Sequence, residues 1–272
     1  MFKPDFFSSQ ALQKQVKLVL GFNNMNRYLY KVLSIALTVL LIHAHSGTAS
    51  EGPESVILLH GLARTEKSLL KIERYLEKQG FHVVNIGYPS RVKNIQTLSI
   101  ETINQAVMEC TKVNATKIHF VTHSMGGILV RYYLEVNKIP NLGRVVMLSP
   151  PNQGSEVVDK LKDYAFFKWI NGSTGQQLGT DKDSLPNNIG PPEYEVGIIT
   201  GDKTINPILS LIIPGKDDGK VSVEKAKLMG MKDFLVVHKA HPFIMNDENV
   251  IKQAVYFIEN GIFDKKLNRT DK

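Results

Sequence analysis

The sequence predicts an α/β domain with a mostly parallel central sheet, helices on both faces and a lid-like insertion. Short runs rich in β-branched residues alternate with helical patterns of ten or more residues, which is typical of βαβ units. Strands such as Val56-Ile57-Leu58-Leu59 are apolar at every position, as expected for strands covered on both faces. One stretch, between residues 150 and 195, interrupts this alternation and is rich in Gly, Asn, Ser and Pro.

The individual elements follow in a regular order. The periodicity predicts strands at 55–59, 81–86, 117–122, 144–148, 196–200 and 234–237 and helices at 66–79, 95–112, 125–137 and 247–262. The interrupting stretch, at about residues 152–194, carries the only Trp and is predicted to be an insertion rather than sheet. We therefore expect one α/β domain at 50–265, followed by a C-terminal tail at 266–272.

The N-terminal residues 1–49 are typical of an extension that ends in an export signal. Arg27 and Lys31 precede an uncharged run at 32–42, and Ala44-His45-Ser46 then offers small residues two positions apart. The run is too short for a spanning helix, which needs roughly 20 apolar residues. We expect cleavage and export to the periplasm or out of the cell, with a membrane anchor at 32–42 as the alternative. Met25 is a candidate initiator.

The charge distribution argues against nucleic-acid binding, and the single cysteine argues against a cysteine nucleophile. The net charge is +7, but residues 1–50 hold five Lys/Arg and one Asp, so only about +3 remains elsewhere. We therefore expect no nucleic-acid partner. Cys110 is the single cysteine and lies in a predicted helix, which favours a buried residue over a nucleophile. Nothing in the sequence indicates an oligomeric state.

A candidate nucleophile, Ser124, lies between the strand 117–122 and the helix 125–137. A serine on a sharp strand-to-helix turn stands beyond the carboxyl edge of the sheet, with its Oγ open to substrate. Gly126 and Gly127 are small enough for the helix to pack closely on the strand, although Thr122 stands where glycine is commoner. Gly61 and Leu62 lie directly after the first strand, where a turn can direct a backbone N–H towards the carbonyl group that Ser124 attacks. The N–H groups of Leu62 and Met125 are therefore the expected oxyanion donors.

The base and the acid should follow the nucleophile in the order acid, then histidine. Only His238 and His241 come after Ser124; His238 ends a strand, whereas His241 lies in a loop before a proline and is preferred. For the acid, Asp202, Asp217 and Asp218 compete. Asp218 is preferred because it precedes a glycine in a turn-rich loop, and Asp202 and Asp217 stay open as alternatives.

Taken together, these residues resemble the small bacterial lipases and related esterases of the α/β-hydrolase superfamily over residues 55–261. The motifs that carry the resemblance are Leu59-His60-Gly61-Leu62, Thr122-His123-Ser124-Met125-Gly126-Gly127, Ser149-Pro150-Pro151-Asn152-Gln153-Gly154-Ser155, Asp218-Gly219-Lys220-Val221 and His241. The resemblance implies the α/β-hydrolase fold and acyl transfer to water through an acyl-enzyme. It assigns the nucleophile to Ser124, the base to His241 and the acid to Asp218, with no metal or organic cofactor. Thr122 leaves the subfamily open.

The insertion gives the clearest indication of a substrate. Apolar residues recur at helical spacing and continue into a dense cluster: Val157, Val158, Leu161, Tyr164, Ala165, Phe166, Phe167, Trp169 and Ile170. This pattern fits either a lid over an acyl chain or an ordinary packed helix. Phe166, Phe167, Trp169 and Phe243 are the candidate substrate-binding residues.

A medium- or long-chain lipid ester is the preferred substrate, and contact with a membrane or lipid interface is a further expectation. Three alternatives remain open. The first is a carboxylesterase for small esters, and the second is an acyltransferase that uses an alcohol in place of water. The third, from a different class, is an inactive binding protein with the same fold, since a fold does not fix a function.

Overall fold

The computed structural model describes residues 52–205 and 207–267, together with Leu18, whose backbone is helical. The predicted export signal, the alternative anchor at 32–42 and Met25 lie outside the described residues, as does most of the predicted tail, from residue 268 onward. In the described part of the chain, no helix combines the length and apolarity needed to cross a bilayer.

Six parallel strands form the central sheet, as the alternating pattern predicts. They are β1 (Ser55–Leu59), β2 (His82–Asn85), β3 (Ile118–His123), β4 (Leu142–Leu148), β5 (Val196–Gly201) and β6 (Asp233–Val237). Their order across the sheet is β2-β1-β3-β4-β5-β6, and every neighbouring pair is parallel. The chain therefore adds β2 on one side of β1 and all later strands on the other side, so the strand order reverses between β1 and β3. Loops at the carboxyl ends of parallel strands converge near such a reversal, which is where open α/β sheets bind ligands.

The helices match the predicted positions with small differences at their ends. They are α1 (Leu70–Lys78), α2 (Ile95–Lys112), α3 (Met125–Val136), α4 (Glu156–Leu161), α5 (Ala165–Gln176), α6 (Leu185–Asn188), α7 (Pro207–Ser210), α8 (Val223–Ala226) and α9 (Glu248–Asn260). The predicted helix at 66–79 begins as a 3-10 turn (Glu66–Leu69) before it becomes α-helical. Strand β4 starts two residues earlier than predicted.

Alternate residues of each strand face two separate apolar layers. Ile57 and Leu59 pack in the layer that holds α2 and α3, whereas Val56 and Leu58 pack in the layer that holds α1 and α9. All four are fully buried, and each such side chain contributes about 1.5–3 kcal/mol to folding. Cys110 is buried in α2 as predicted, and burial raises the pKa of its thiol, which makes it a poor nucleophile.

The insertion consists of short helices rather than sheet. Within the described residues no strand lies between β4 and β5. The apolar residues that the sequence placed at one helical spacing are divided between α4 and α5, which are separated by residues 162–164. Helix α5 is itself broken at Gly172, whose φ of 61° departs from helical geometry. A Cβ on Gly172 would lie 1.7 Å from the carbonyl oxygen of Arg91, so only glycine fits this contact.

Candidate active site

Ser124 occupies a strained turn between β3 and α3. Its φ is 53° and its ψ is −123°, a backbone conformation that L-residues rarely adopt and that costs about 1–3 kcal/mol. The turn is held by a hydrogen bond from the Ser124 N–H to the Leu148 carbonyl (2.8 Å). Gly126 lies against β1, where a Cβ would come within 2.5 Å of the Leu59 carbonyl oxygen. The strand-turn-helix geometry predicted for Ser124 is therefore present.

His241 lies between Ser124 and Asp218 and bonds to both. Its Nε2 is 3.0 Å from the Ser124 Oγ, and its Nδ1 is 2.8 Å from Asp218 Oδ2. A backbone hydrogen bond from the His241 N–H to the Asp218 carbonyl (2.9 Å) fixes the two loops against each other. His241 and Asp218 are both buried. The three residues preferred from the sequence are thus adjacent, although they are separated by as many as 117 positions in the chain.

The Asp218 carboxylate has all the partners needed to stay ionised. Its Oδ1 accepts hydrogen bonds from the backbone N–H groups of Lys220 (3.0 Å) and Val221 (2.9 Å). Burial by itself would raise the pKa of Asp218, but the charge of His241, its hydrogen bond and the Val221 N–H lower that pKa below its ordinary value. The neighbouring Asp217 bonds instead to the Gly219 N–H (2.7 Å) and to the Ser210 hydroxyl, and so shapes the loop.

The alternative base and one alternative acid contact each other, away from Ser124. His238 Nδ1 is 2.9 Å from Asp202 Oδ1, and the His238 side chain is 74% exposed. Asp202 also lies 3.6 Å from the ammonium group of Lys216. This second Asp–His pair is a hydrogen-bonded pair at the end of β6, with an exposed histidine. It provides a matched comparison for the buried pair.

His123, to which the sequence reasoning gave no role, supports the loop of His241. Its Nε2 donates to the His241 carbonyl oxygen (3.1 Å), and the two imidazole rings are 4.9 Å apart. Burial, and then the charge of His241, hold the pKa of His123 well below its usual range, so the ring is neutral. Its position directly before the serine is the one signal in the sequence that pointed to it.

The turn that carries Gly61 and Leu62 is held by His60 and Tyr88. The His60 Nδ1 donates to the Gly61 carbonyl (2.9 Å), the Tyr88 N–H donates to His60 Nε2 (3.4 Å), and the two rings stack at 3.9 Å. Gly61 lies so close to the site that a Cβ would be 3.1 Å from the Ser124 Cβ. Leu62 lines the cavity, and Met125 begins α3, so its N–H has no acceptor within that helix.

A cavity of about 220 Å³ opens beside Ser124 and His241. Its wall is mainly apolar and comes largely from the insertion: Leu62, Pro151, Val157, Val158, Leu161, Phe167, Ile170, Leu178 and Val221. Phe167 therefore lies where the sequence placed it.

The other three candidate substrate-binding residues do not line this cavity. Phe166 and Trp169 are 71% and 79% exposed, and Phe243 is also exposed. Consecutive helical positions differ by about 100° around the axis, so Phe167 and Ile170 face inward while Phe166 and Trp169 face outward. Their assignment to the pocket wall is therefore corrected. Ile244 and Met245, which follow Phe243, are buried in the core layer of α9.

Three buried histidines predict a loss of stability in mild acid. Burial lowers the pKa values of His60, His119 and His123, so the unfolded chain binds protons that the folded protein does not. Their contribution to the free energy of unfolding is present above the unfolded pKa of about 6.5 and is lost as the pH falls below it.

For His123 alone, the expected loss is about 1.4 kcal/mol one pH unit below the unfolded value. Urea unfolding at about pH 7.5 and about pH 5.5 measures the change. His119→Gln should reduce the pH dependence. An unfolding free energy that stays constant over this range would contradict the prediction.

The parallel sheet, the strained serine turn and the converging loops define an α/β-hydrolase. The chain belongs to the palmitoyl protein thioesterase family, whose model matches residues 55–190. The match includes Ser124 and ends before Asp218 and His241. The protein is therefore a hydrolase of the lipase, esterase and thioesterase type.

Solved structures of similar fold include two that the chain matches over most of their length. The mature lipase BlEst2 of Bacillus licheniformis is 16% identical with a TM-score of 0.57, over 76% of this chain and 90% of that one. The esterase Pf2001 of Pyrococcus furiosus is 15% identical with a TM-score of 0.51, over 76% and 83%.

The phospholipase PlaB of Legionella pneumophila is also similar, at 19% identity and a TM-score of 0.51. That match covers 64% of this chain and 45% of PlaB, so the chain spans less than half of that protein. No curated protein matches the chain by sequence. At these identities the structural likeness establishes the fold alone.

Proposed function

We propose that the protein hydrolyses carboxylic esters of lipids through an acyl-enzyme formed on Ser124. The proposal depends on one observation, the continuous hydrogen-bonded arrangement of Ser124 Oγ, the His241 ring and the Asp218 carboxylate at 3.0 Å and 2.8 Å. Asp218 accepts a hydrogen bond from the Nδ1–H of His241, which leaves the Nε2 lone pair directed at the serine hydroxyl.

In this mechanism His241 removes the Ser124 proton as Oγ attacks the ester carbonyl. The N–H groups of Leu62 and Met125 stabilise the negative charge that develops on the carbonyl oxygen, and one such donor is typically worth about 3 kcal/mol. His241 then gives its proton to the departing alcohol. Water repeats the same steps on the acyl-enzyme and releases the free acid, so that His241 and Ser124 return to their starting protonation states.

The apolar cavity supports an acyl chain as the group bound beside Ser124. Its volume of about 220 Å³ is below the roughly 300–1,000 Å³ of typical ligand pockets, so we propose a medium-length chain as the preferred one. The proteins of similar structure include a lipase, an esterase and a phospholipase. The family description favours thioesters as the second candidate, because the same acyl-enzyme forms from either leaving group.

A fluorophosphonate probe and a graded substrate panel test the proposal. The probe should label the wild-type protein and fail to label the Ser124→Ala variant. The panel compares oxygen esters and thioesters of equal acyl length, and hydrolysis should peak at medium length and fall for long chains. Product analysis with an added alcohol identifies an acyltransferase. Absence of both labelling and hydrolysis would instead support an inactive protein that kept the hydrolase fold.

We also propose that the outward face of α5 contacts lipid aggregates. Phe166 and Trp169 are exposed on the helix whose other face lines the cavity, and aromatic side chains favour membrane interfaces. Because Trp169 is the only tryptophan, intrinsic fluorescence reports directly on this face. Its emission should shift to shorter wavelength when neutral phosphatidylcholine vesicles are added.

A matched pair of variants tests whether this contact matters for turnover. Phe166→Ser should lower hydrolysis of an emulsified ester relative to a soluble ester of the same acid. Met229→Ser removes an equally exposed apolar side chain that is not on α5 and should leave that ratio unchanged. An unshifted emission maximum together with equal ratios in both variants would contradict the proposal.

A further inference from the structure

Two cationic side chains line the cavity, and the described residues of its lining contain no carboxylate. Arg64 lies in the loop after β1, and Lys220 lies in the loop that carries Asp218. The described residues that line the cavity include these two cations and no Asp or Glu. Within the part of the chain that the structure describes, neither Arg64 nor Lys220 forms an ion pair with a carboxylate. The cavity therefore combines an apolar wall with two cations that form no ion pair among the described residues.

The two cations line the same cavity as Ser124 and His123. Both Arg64 and Lys220 contribute to lowering the pKa of His123, the residue that precedes Ser124. Although the Lys220 side chain as a whole is exposed, desolvation of its ammonium group and then the charge of Arg64 lower its pKa, against the opposing effect of Asp218. Like charges held together in this way are stabilised by an anion that contacts both.

We propose that Arg64 and Lys220 bind a phosphate group on the leaving-group side of the substrate. The inference rests on the proposed hydrolase function and specifies its substrate class: an acyl ester or thioester whose alcohol or thiol part carries phosphate. The acyl chain occupies the apolar wall formed by the insertion. The guanidinium offers paired N–H donors to two phosphate oxygens, and the ammonium adds a point charge.

The reaction itself is the hydrolysis already described. The bond between the acyl carbon and the leaving oxygen or sulfur breaks, and the oxygen of water takes its place on the acyl carbon. The proton carried by His241 goes to the leaving atom. Arg64 and Lys220 take no part in bond making; they hold the phosphate and thereby position the scissile bond at Ser124.

Two kinds of molecule share this chemistry and differ in the distance from phosphate to acyl group. In an acyl glycerol phosphate the phosphate is a few bonds from the ester, whereas in an acyl thioester of coenzyme A it is many bonds away. Because both cations line the same small cavity as Ser124, the structure favours the short separation. The first source, a glycerophosphate lipid, should therefore depend most strongly on the two cations.

The test compares pairs of substrates in which one member carries phosphate and the other carries none. The first pair is 1-octanoylglycerol 3-phosphate and 1-octanoylglycerol, and the second is octanoyl-coenzyme A and the octanoyl thioester of N-acetylcysteamine. For wild type, kcat/KM for the first pair should favour the phosphate substrate by about tenfold or more at low salt, and the preference should fall as salt rises.

Arg64→Gln and Lys220→Gln should each lower this ratio by about tenfold, the usual size of a lost charge-assisted hydrogen bond. Arg74→Gln on α1 and Lys160→Gln on α4 remove a cation that does not line the cavity and should leave the ratio unchanged. Free glycerol 3-phosphate should inhibit hydrolysis of the neutral ester in wild type, which tests the site without any variant.

The outcomes separate this inference from the proposed function. If wild type hydrolyses the neutral ester but shows no phosphate preference, no inhibition by glycerol 3-phosphate and no change in ratio in the variants, the phosphate site is wrong and the hydrolase stands. If wild type hydrolyses neither substrate and no probe labels Ser124, the proposed function is itself wrong. If Arg64→Gln and Lys220→Gln lower the ratio more for the coenzyme A pair than for the acylglycerol pair, the phosphate that they bind belongs to a thioester substrate.

Discussion

Replacement of Ser124 by alanine is expected to lower kcat by at least about 10⁴-fold. The variant removes the one oxygen that lies 3.0 Å from His241 Nε2, so no acyl-enzyme can form. The backbone turn stays, because alanine tolerates it about as well as serine does. The free energy of unfolding should therefore stay within about 1 kcal/mol of wild type. Steady-state kinetics on a soluble ester and urea unfolding measure the two quantities.

Two further serine variants make this result specific. Ser99→Ala removes a buried hydroxyl that donates to the Leu129 carbonyl (2.6 Å) away from the cavity, so it should cost stability and keep turnover. Ser124→Gly should be inactive and at least as stable as Ser124→Ala, because glycine relieves the strain at a φ of 53°. Turnover that survives in Ser124→Ala would exclude Ser124 as the nucleophile.

Asp218→Asn is expected to lower kcat by about 10³- to 10⁴-fold, with a much smaller change in KM. If the amide oxygen keeps the hydrogen bonds from the Lys220 and Val221 N–H groups, the amide NH2 group faces His241 Nδ1. That NH2 group donates a hydrogen bond to Nδ1, where the carboxylate accepted one. His241 would then adopt the tautomer that carries its proton on Nε2, and its lone pair would no longer face the Ser124 hydroxyl. The loop should persist, because the amide oxygen can still accept from the Lys220 and Val221 N–H groups.

The surface pair offers a matched control for this variant. Asp202→Asn makes the same chemical change in a carboxylate that lies 2.9 Å from His238, and it should leave kcat unchanged. If Asp202→Asn proved to be the damaging change, or if Asp218→Asn kept full kcat, the assignment of the acid would have to move. Both variants should be assayed at the same pH, since they alter different histidines.

Local patterns predicted the strands and the serine turn because each depends on neighbouring residues. The apolar run of β1 indicated burial on both faces, and the two apolar layers on either side of the sheet bear this out. Ser124 was recognisable because β3, the turn and α3 follow each other without interruption. The boundaries of most elements were accordingly within two residues of those in the structure.

The partners of Ser124 were harder to identify because they depend on how distant loops meet. The sequence left Asp202, Asp217 and Asp218 as alternatives, all of them acidic residues in loops near the end of the sheet. Only the packing of the His241 loop on the Asp218 loop separates them, through the backbone bond between the two residues. No periodicity in the sequence encodes that contact.

The helical insertion was misjudged because its phase depends on where each helix begins. The segment forms two helices, and the break at 162–164 means that the orientation of residues 165–170 does not follow from that of residues 157–161. Phe166 and Trp169 face outward. The sequence does not distinguish Arg64 and Lys220 from other loop cations, because only the folded structure shows which side chains line the cavity.

The glycine at position 172 divides α5 into a half that lines the cavity and a half that is hydrogen-bonded to the loop before α2. Beyond it, Thr174 donates to the Lys93 carbonyl and Gln177 accepts from the Ile95 N–H (2.6 Å), which fixes that half to the loop before α2. Phe167 and Ile170, which line the cavity, lie in the other half. On the proposed function, smaller side chains at these two positions should therefore shift the preferred acyl length while the hydrogen bonds of the half beyond Gly172 stay in place.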